Sequence, residues 1–156
     1  MKNNELSQGI QRRIKKLLDK RIIPSLYSQK TGEIEESIPI YDSRQKIVSW
    51  FVPYTIKNKL VSFLQFDENL EFIRHSTFLN KNSDIEDCPE RDTWLEPKNI
   101  IELAKTKTDV DDVFEKPFLT YDQNISRIVW CVKAKNKKGN TKTIFVVGNF
   151  VYLPIN

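Results

Sequence analysis

Three side chains have the intrinsic chemistry for nucleophilic catalysis. His75 is the only histidine, in Glu71-Phe72-Ile73-Arg74-His75-Ser76-Thr77, and Cys88 and Cys131 are the only thiols. A histidine beside a cysteine would serve as base and nucleophile. The surroundings argue against that use. Cys88 stands in Asp87-Cys88-Pro89-Glu90, where carboxylates raise a thiol pKa, the reverse of what a reactive thiolate needs. Cys131 falls in an apolar run that reads as a strand, and so as buried. The expectation is two reduced structural thiols, a histidine at a strand end, no catalytic residue and no cofactor.

Oxygen-rich segments are the next candidates. Asp84, Glu86, Asp87, Glu90 and Asp92 form one acidic cluster, and Asp109, Asp111, Asp112 and Glu115 another. Neither has the alternating ligands around a glycine that a calcium loop needs, so both read as solvated loops and helix starts, with no metal expected. Arg12, Arg13, Lys15, Lys16, Lys20 and Arg21 could meet phosphates, with Tyr27, Trp50 or Trp130 stacking on bases. The tryptophans fall on core-facing positions, however, and the cations flank a buried stripe as on any solvated helix. No Gly-rich phosphate loop, paired zinc-ligand spacing or nucleophile elbow is present.

These residues must be positioned by a recognisable series of elements. Ile10, Ile14, Leu17 and Leu18 mark a helix over residues 8–22, stopped by Pro24. A polar linker over 28–37 leads to strands at Ile38–Tyr41, Ile47–Tyr54, Leu60–Phe66 and Leu70–Ser76. An irregular connector covers 78–96. A second helix is expected over Pro97–Lys107, then strands at Phe118–Tyr121, Arg127–Lys135, Thr141–Val147 and Phe150–Leu153, the last two joined at Gly148-Asn149. The second series echoes the first. Tyr41-Asp42 precedes Trp50-Phe51-Val52 as Tyr121-Asp122 precedes Trp130-Cys131-Val132, and the same offset lays Leu64 over Ile144 and Phe66 over Val146.

The pattern predicts an α+β protein of two tandem helix-plus-antiparallel-sheet units packed as one body, with residues 1–77 and 97–156 as the repeats and 78–96 between them. Ile144-Phe145-Val146-Val147 is apolar at every position, which predicts that the sheet face away from the helix is also covered, by the other unit, a second copy or a partner. Phe51 and Phe145 on that face, with Trp94 in the connector, are the candidate partner-binding residues; Trp94 also reads as a plug closing the gap between the units. Asp42 and Asp122 most simply end a strand and cap a turn. They would also line an inter-repeat cleft, were one the site of an enzyme.

Charge is divided along the chain. Residues 1–30 carry eight Lys and Arg against two acids, residues 31–116 eleven against eighteen, and residues 117–156 six against one. Basic ends around an acidic centre fit internal complementarity as readily as a nucleic-acid footprint. No run approaches the roughly 20 apolar residues of a membrane span, and the polar N-terminus lacks a signal-peptide core, so a bacterial-type cytoplasm is expected, with no membrane partner.

The order of helix, short strand ending in Tyr-Asp, strand with a central Trp, Lys/Asn/Gly turn and strand resembles the PepSY domain, over residues 8–76 and again over 97–154. Phe66-Asp67-Glu68-Asn69-Leu70-Glu71-Phe72 is similar to that family's closing aspartate turn, whereas Val147-Gly148-Asn149 lacks the aspartate. Cystatin-like folds share the pattern. The resemblance implies a non-catalytic inhibitory or interaction module. The functional expectation is therefore a protein-binding module, as an inhibitor or immunity-type protein would be. Nucleic-acid binding through the basic helix is the alternative, an enzyme with its site between the repeats a third reading, and homodimerisation is compatible with the covered sheet face.

Overall fold

The computed structural model describes residues 3–80, 82, 84–122 and 127–155, and its fold is α+β with a mixed sheet. Helix α1 spans Asn3–Asp19, starting well before the apolar spacing alone predicts. Leu6, Ile10, Ile14 and Leu17 form its buried stripe. The helix ends in a paired-bond cap: Arg21 N–H reaches the Leu18 carbonyl at 3.0 Å and Ile22 N–H the Leu17 carbonyl at 2.9 Å. Arg21 takes the left-handed position at φ 57°, where glycine is usual.

The strands are β1 (Gly32–Ile34), β2 (Ile38–Tyr41), β3 (Ile47–Ile56), β4 (Lys59–Asp67) and β5 (Phe72–Thr77), then β6 (Val113–Phe114), β7 (Phe118–Tyr121), β8 (Ile128–Lys135), β9 (Thr141–Val147) and β10 (Phe150–Tyr152). Between the two series lie helices α2 (Arg91–Leu95) and α3 (Pro97–Ala104). The segment read as polar linker contributes β1, and the connector contributes α2. Gly32 to Ile34 pair with Tyr54 to Ile56, so the backbone of a polar segment finds its partners on the extension of β3.

Two compact units emerge. The first comprises Met1–Pro39 and Ile47–Pro89, the second Ile40–Lys46 and Glu90–Asn156. This division departs from boundaries at 1–77, 78–96 and 97–156. Residues after 77 belong to the first unit because Phe78 N–H bonds to the Val61 carbonyl and Leu60 N–H to the Pro89 carbonyl. Residues 40–46 belong to the second because Ile40 and Tyr41 pair with Leu119 and Thr120, and Thr120 Oγ1 donates to the Tyr41 carbonyl at 2.7 Å. That pairing is parallel, against the all-antiparallel expectation. Strands so far apart in sequence are joined by no hairpin, and nothing local fixes their direction.

In the first unit the antiparallel order is β1, β3, β4, β5. The α1 stripe packs on Val52, Tyr54 and Ile56 of β3 and on Leu64 and Phe66 of β4. Removing one such side chain, as in Ile10→Ala, costs about 2–5 kcal/mol. On the other face Phe51 stacks on Phe63 at 4.4 Å between ring centroids, and Gln65 Nε2 donates to Ser49 Oγ while its Oε1 accepts from Arg74 Nε. In the second unit β7 to β10 form a meander. Ile100 and Ala104 of α3 are fully buried, as are Val132, Ile144 and Val146, while Val129, Cys131 and Phe145 form a cluster on the opposite side of the sheet. The second face is thus buried within a single copy of the chain.

Three hairpin turns share one construction. Asp42 Oδ1 accepts from the N–H groups of Arg44 and Lys46, Asp67 Oδ1 from those of Asn69 and Glu71, and Asn136 Oδ1 from those of Lys138 and Asn140. The fourth residue of each takes a left-handed φ: Gln45 at 63°, Leu70 at 64° and Gly139 at 86°. Leu70, expected to open a strand, therefore sits in the turn. The β3–β4 and β8–β9 hairpins also share a register. Trp50 lies opposite Phe66 and Val52 opposite Leu64; 80 residues on, Trp130 lies opposite Val146 and Val132 opposite Ile144.

Gly148, between β9 and β10, has φ 58°, and a Cβ built on it would lie 3.0 Å from Trp94 Nε1. Gly139 shares the left-handed φ but faces only a distant lysine carbon at 3.9 Å. Gly139→Ala is expected to lose about 1 kcal/mol of stability, and Gly148→Ala about 1–2 kcal/mol more because the Trp94 ring must also move. Chemical denaturation of both variants checks the order; equal losses would show that the ring yields freely.

Candidate functional site

The residues singled out from the sequence are mostly consumed by the fold. Phe51 and Phe145 are 3% and 8% exposed, so neither offers a free surface to a partner: both point into the apolar clusters on the sheet faces away from the helices. Trp94 is half-buried. Its carbonyl accepts from Trp130 Nε1 at 2.7 Å and its ring covers Gly148, so it packs within the second unit. Asp42 caps its own turn, and two backbone N–H groups hold its carboxyl below the ordinary value. Asp122 has a side chain 2% exposed, accepts from Tyr152 Oη at 2.6 Å, and pairs with Arg127 at 3.1 Å. Burial and that bond push the Tyr152 phenol up to about 12. Both aspartates belong to the second unit and serve its strand ends.

The candidate catalytic groups are similarly occupied. Cys88 and Cys131 are free and buried, and burial raises both thiols, Cys131 to about 11. The His75 ring stands edge-on to Tyr27 at 5.4 Å. Tyr27 Oη lies 2.7 Å from Ser62 Oγ, and Tyr54 Oη donates to the Leu26 carbonyl. Among the described residues the buried His75 Nε2 atom has no hydrogen-bond partner. Among the acidic residues, Asp84 and Asp87 form a reciprocal cap on a short turn, Asp112 accepts from Asp109 N–H, and Asp111 pairs with Lys137. Among the described residues no three His, Cys, Asp or Glu side chains converge as a metal site.

A surface that joins exposed cations to apolar side chains lies along α1. The C-terminal half of the helix carries Arg12, Lys15 and Lys16, and Lys20 follows its end, all exposed. A groove of about 140 Å³ separates this flank of the helix from the turn between β4 and β5. Its floor includes Leu17, Ile22, Phe66 and Phe72, and its wall is Leu70; Arg13, Lys16 and Lys20 stand on the helix rim, with Glu71 opposite. Local chemistry explains the construction. The helix cap at Arg21 places Ile22 beside Leu17, leaving Ile22 53% exposed. The left-handed Leu70 puts its Cδ1 where a Cβ at Gly9 would approach to 2.8 Å, so the turn docks against the helix where it has no side chain. Arg13 ties helix to turn through Glu71 at 3.4 Å.

A second groove, of about 480 Å³, borders the N-terminal half of α1 and is lined by Trp50, Glu35 and Glu36 among others. The proposed base-stacking residues are thus unavailable to the cationic flank: Tyr27 and Trp130 are each 5% exposed, and Trp50 lies in the carboxylate-bearing groove. Elsewhere Phe150 is 75% exposed on β10, with Leu153 and Ile155 following at 43% and 78%. The cations of α1 are visible in the sequence. The groove is not, because its two sides lie some fifty residues apart and meet only through the turn at Leu70.

Burial lowers the His75 pKa from 6.5. The unfolded chain therefore takes up this proton first as pH falls, so stability declines through about pH 6.5 and levels off below the folded value. His75→Phe is expected to flatten the dependence of unfolding free energy on pH between about 7 and about 5.5. Denaturant titrations across that range test this, and an unchanged slope in the variant would refute the burial effect.

No helix of the described residues is long and apolar enough to cross a membrane. No family model matches the chain, and no curated protein or solved structure matches it either.

Proposed function

We propose that this chain is a small non-catalytic protein-binding module, acting as an inhibitor or immunity-type protein acts, by occupying a partner's surface. The observation that carries this reading is the groove between α1 and the β4–β5 turn: apolar at its base, cationic along one rim, and open in the folded protein. Interfaces draw their affinity from apolar anchors seated in pockets and their orientation from charges at the rim. The groups with catalytic potential support the same reading, since both thiols and Asp122 are buried and the chemistry of each is already committed to packing or hydrogen bonds. Free cysteines fit a reducing compartment such as the cytoplasm.

The two repeats, residues 8–76 and 97–154, are, in this proposal, copies of one PepSY-like module. The matching hairpin registers and the identical spans of β2 and β7 at the 80-residue offset support duplication. The inhibitory or interaction role of that family agrees with a binding function.

The test is affinity capture from lysate of the source organism with and without nuclease, read by mass spectrometry. A specific protein retained after nuclease treatment is the expected result. Recovery of nucleic acid, with all captured protein lost on nuclease treatment, would overturn it in favour of the basic helix as a phosphate-binding surface.

A further inference from the structure

We infer that the groove between α1 and the β4–β5 turn receives an acidic peptide segment of the partner, with one apolar side chain seated on its floor; this rests on the protein-binding reading above. Size and charge select the occupant. A space of about 140 Å³ is far below the several hundred Å³ of a small-molecule site and comparable to a cavity that accepts a single benzene ring. It fits one leucine, isoleucine or phenylalanine side chain. Among the described residues Lys16 and Lys20 make no ion pair, and both are exposed at its rim, beside Arg12 and Arg13. Their unneutralised charge calls for carboxylates on either side of the apolar residue.

The same features disfavour a nucleic-acid strand. Glu71 stands opposite the lysines and Asp19 lies along the same flank, so a continuous phosphate track would meet two carboxylates. Of the two aromatic rings at the base, Phe66 is fully buried and Phe72 is half-buried edge-on to it at 6.1 Å between centroids, so a base would find at most one partly covered ring. Glu71, paired with Arg13 at 3.4 Å, occupies part of the cationic rim and acts as an internal competitor for the peptide's carboxylates.

The full chain is tested on an array of synthetic heptapeptides with Asp/Glu flanks and a varied central residue, with Lys-flanked peptides, single-stranded oligothymidine and phosphatidylserine vesicles as separate probes. Acidic peptides with a central Leu, Ile or Phe are expected to bind, and those with a central Ser to bind about tenfold more weakly or worse. Binding should weaken as salt is raised. Because the altered side chains are exposed, K16E/K20E is expected to abolish binding without unfolding the protein, while Glu71→Gln tightens it. Three outcomes overturn the inference: no acidic peptide bound, no dependence on the central residue, or binding confined to oligothymidine or vesicles and lost in K16E/K20E. The two readings separate in the capture experiment. A protein partner retained equally by K16E/K20E removes the groove as the site and leaves the binding module standing; loss of every partner from the unaltered chain removes both.

Discussion

A carboxylate or carboxamide oxygen accepting two successive backbone N–H groups closes three of the hairpins, at Asp42, Asp67 and Asn136. The turns at Asp67 and Asn136 each hold their strands in one register. In a sheet with both faces buried, a slip of one residue would exchange the two faces entirely. At the Asp67 turn, Leu64 and Phe66 of β4 would leave α1, and Phe63 and Gln65 would take their place. The side-chain oxygens therefore decide which apolar residues meet the helix, and through that which remain on the opposite face.

The turn at Asp67 carries a further role because the residue at its left-handed position is Leu70. Gly139 fills the corresponding position without conformational strain, at an open turn. Leu70 accepts the strain and returns a side chain that is 8% exposed and packed against Gly9. Arg21 makes a similar exchange at the end of α1, where the left-handed cap sets Ile22 beside Leu17. Both departures from glycine border the same groove. Strained positions of this kind persist where the surrounding packing over-determines them, as at Leu70, whose side chain is buried against Gly9.

Much of this architecture is legible in the sequence. The spans of β2, β7 and β9 follow from short apolar runs between turn residues, and the α1 stripe from Ile10, Ile14 and Leu17. The strand β1 is not legible, since Gly32-Glu33-Ile34 has no apolar pattern and is held by its pairing with β3. The parallel contact of Ile40 with Leu119 has no local signature either. Phe51, Phe145, Asp42 and Asp122 were conspicuous as apolar or acidic residues in repeated positions, yet period-two alternation buries the first two and strand-end hydrogen bonding uses the others. The cationic groove escapes sequence reading for the opposite reason. Its charges are plain, but its floor is assembled from a helix cap and a distant turn whose meeting depends on a glycine.

The placement of residues 40–46 has a consequence for dissecting the molecule. Ile40 and Tyr41 lie within the first half of the chain but supply a strand to the second unit. Scission anywhere between Thr77 and Trp94 separates the chain into halves that are not the two units. The C-terminal fragment would lack the strand beside β7 and expose that edge, while the N-terminal fragment would retain Ile40 and Tyr41 without their partners Leu119 and Thr120. Exposed strand edges promote association. Each half has reason to seek the other, and a split chain of this design is suited to reassembly from its pieces rather than to independent life as two domains.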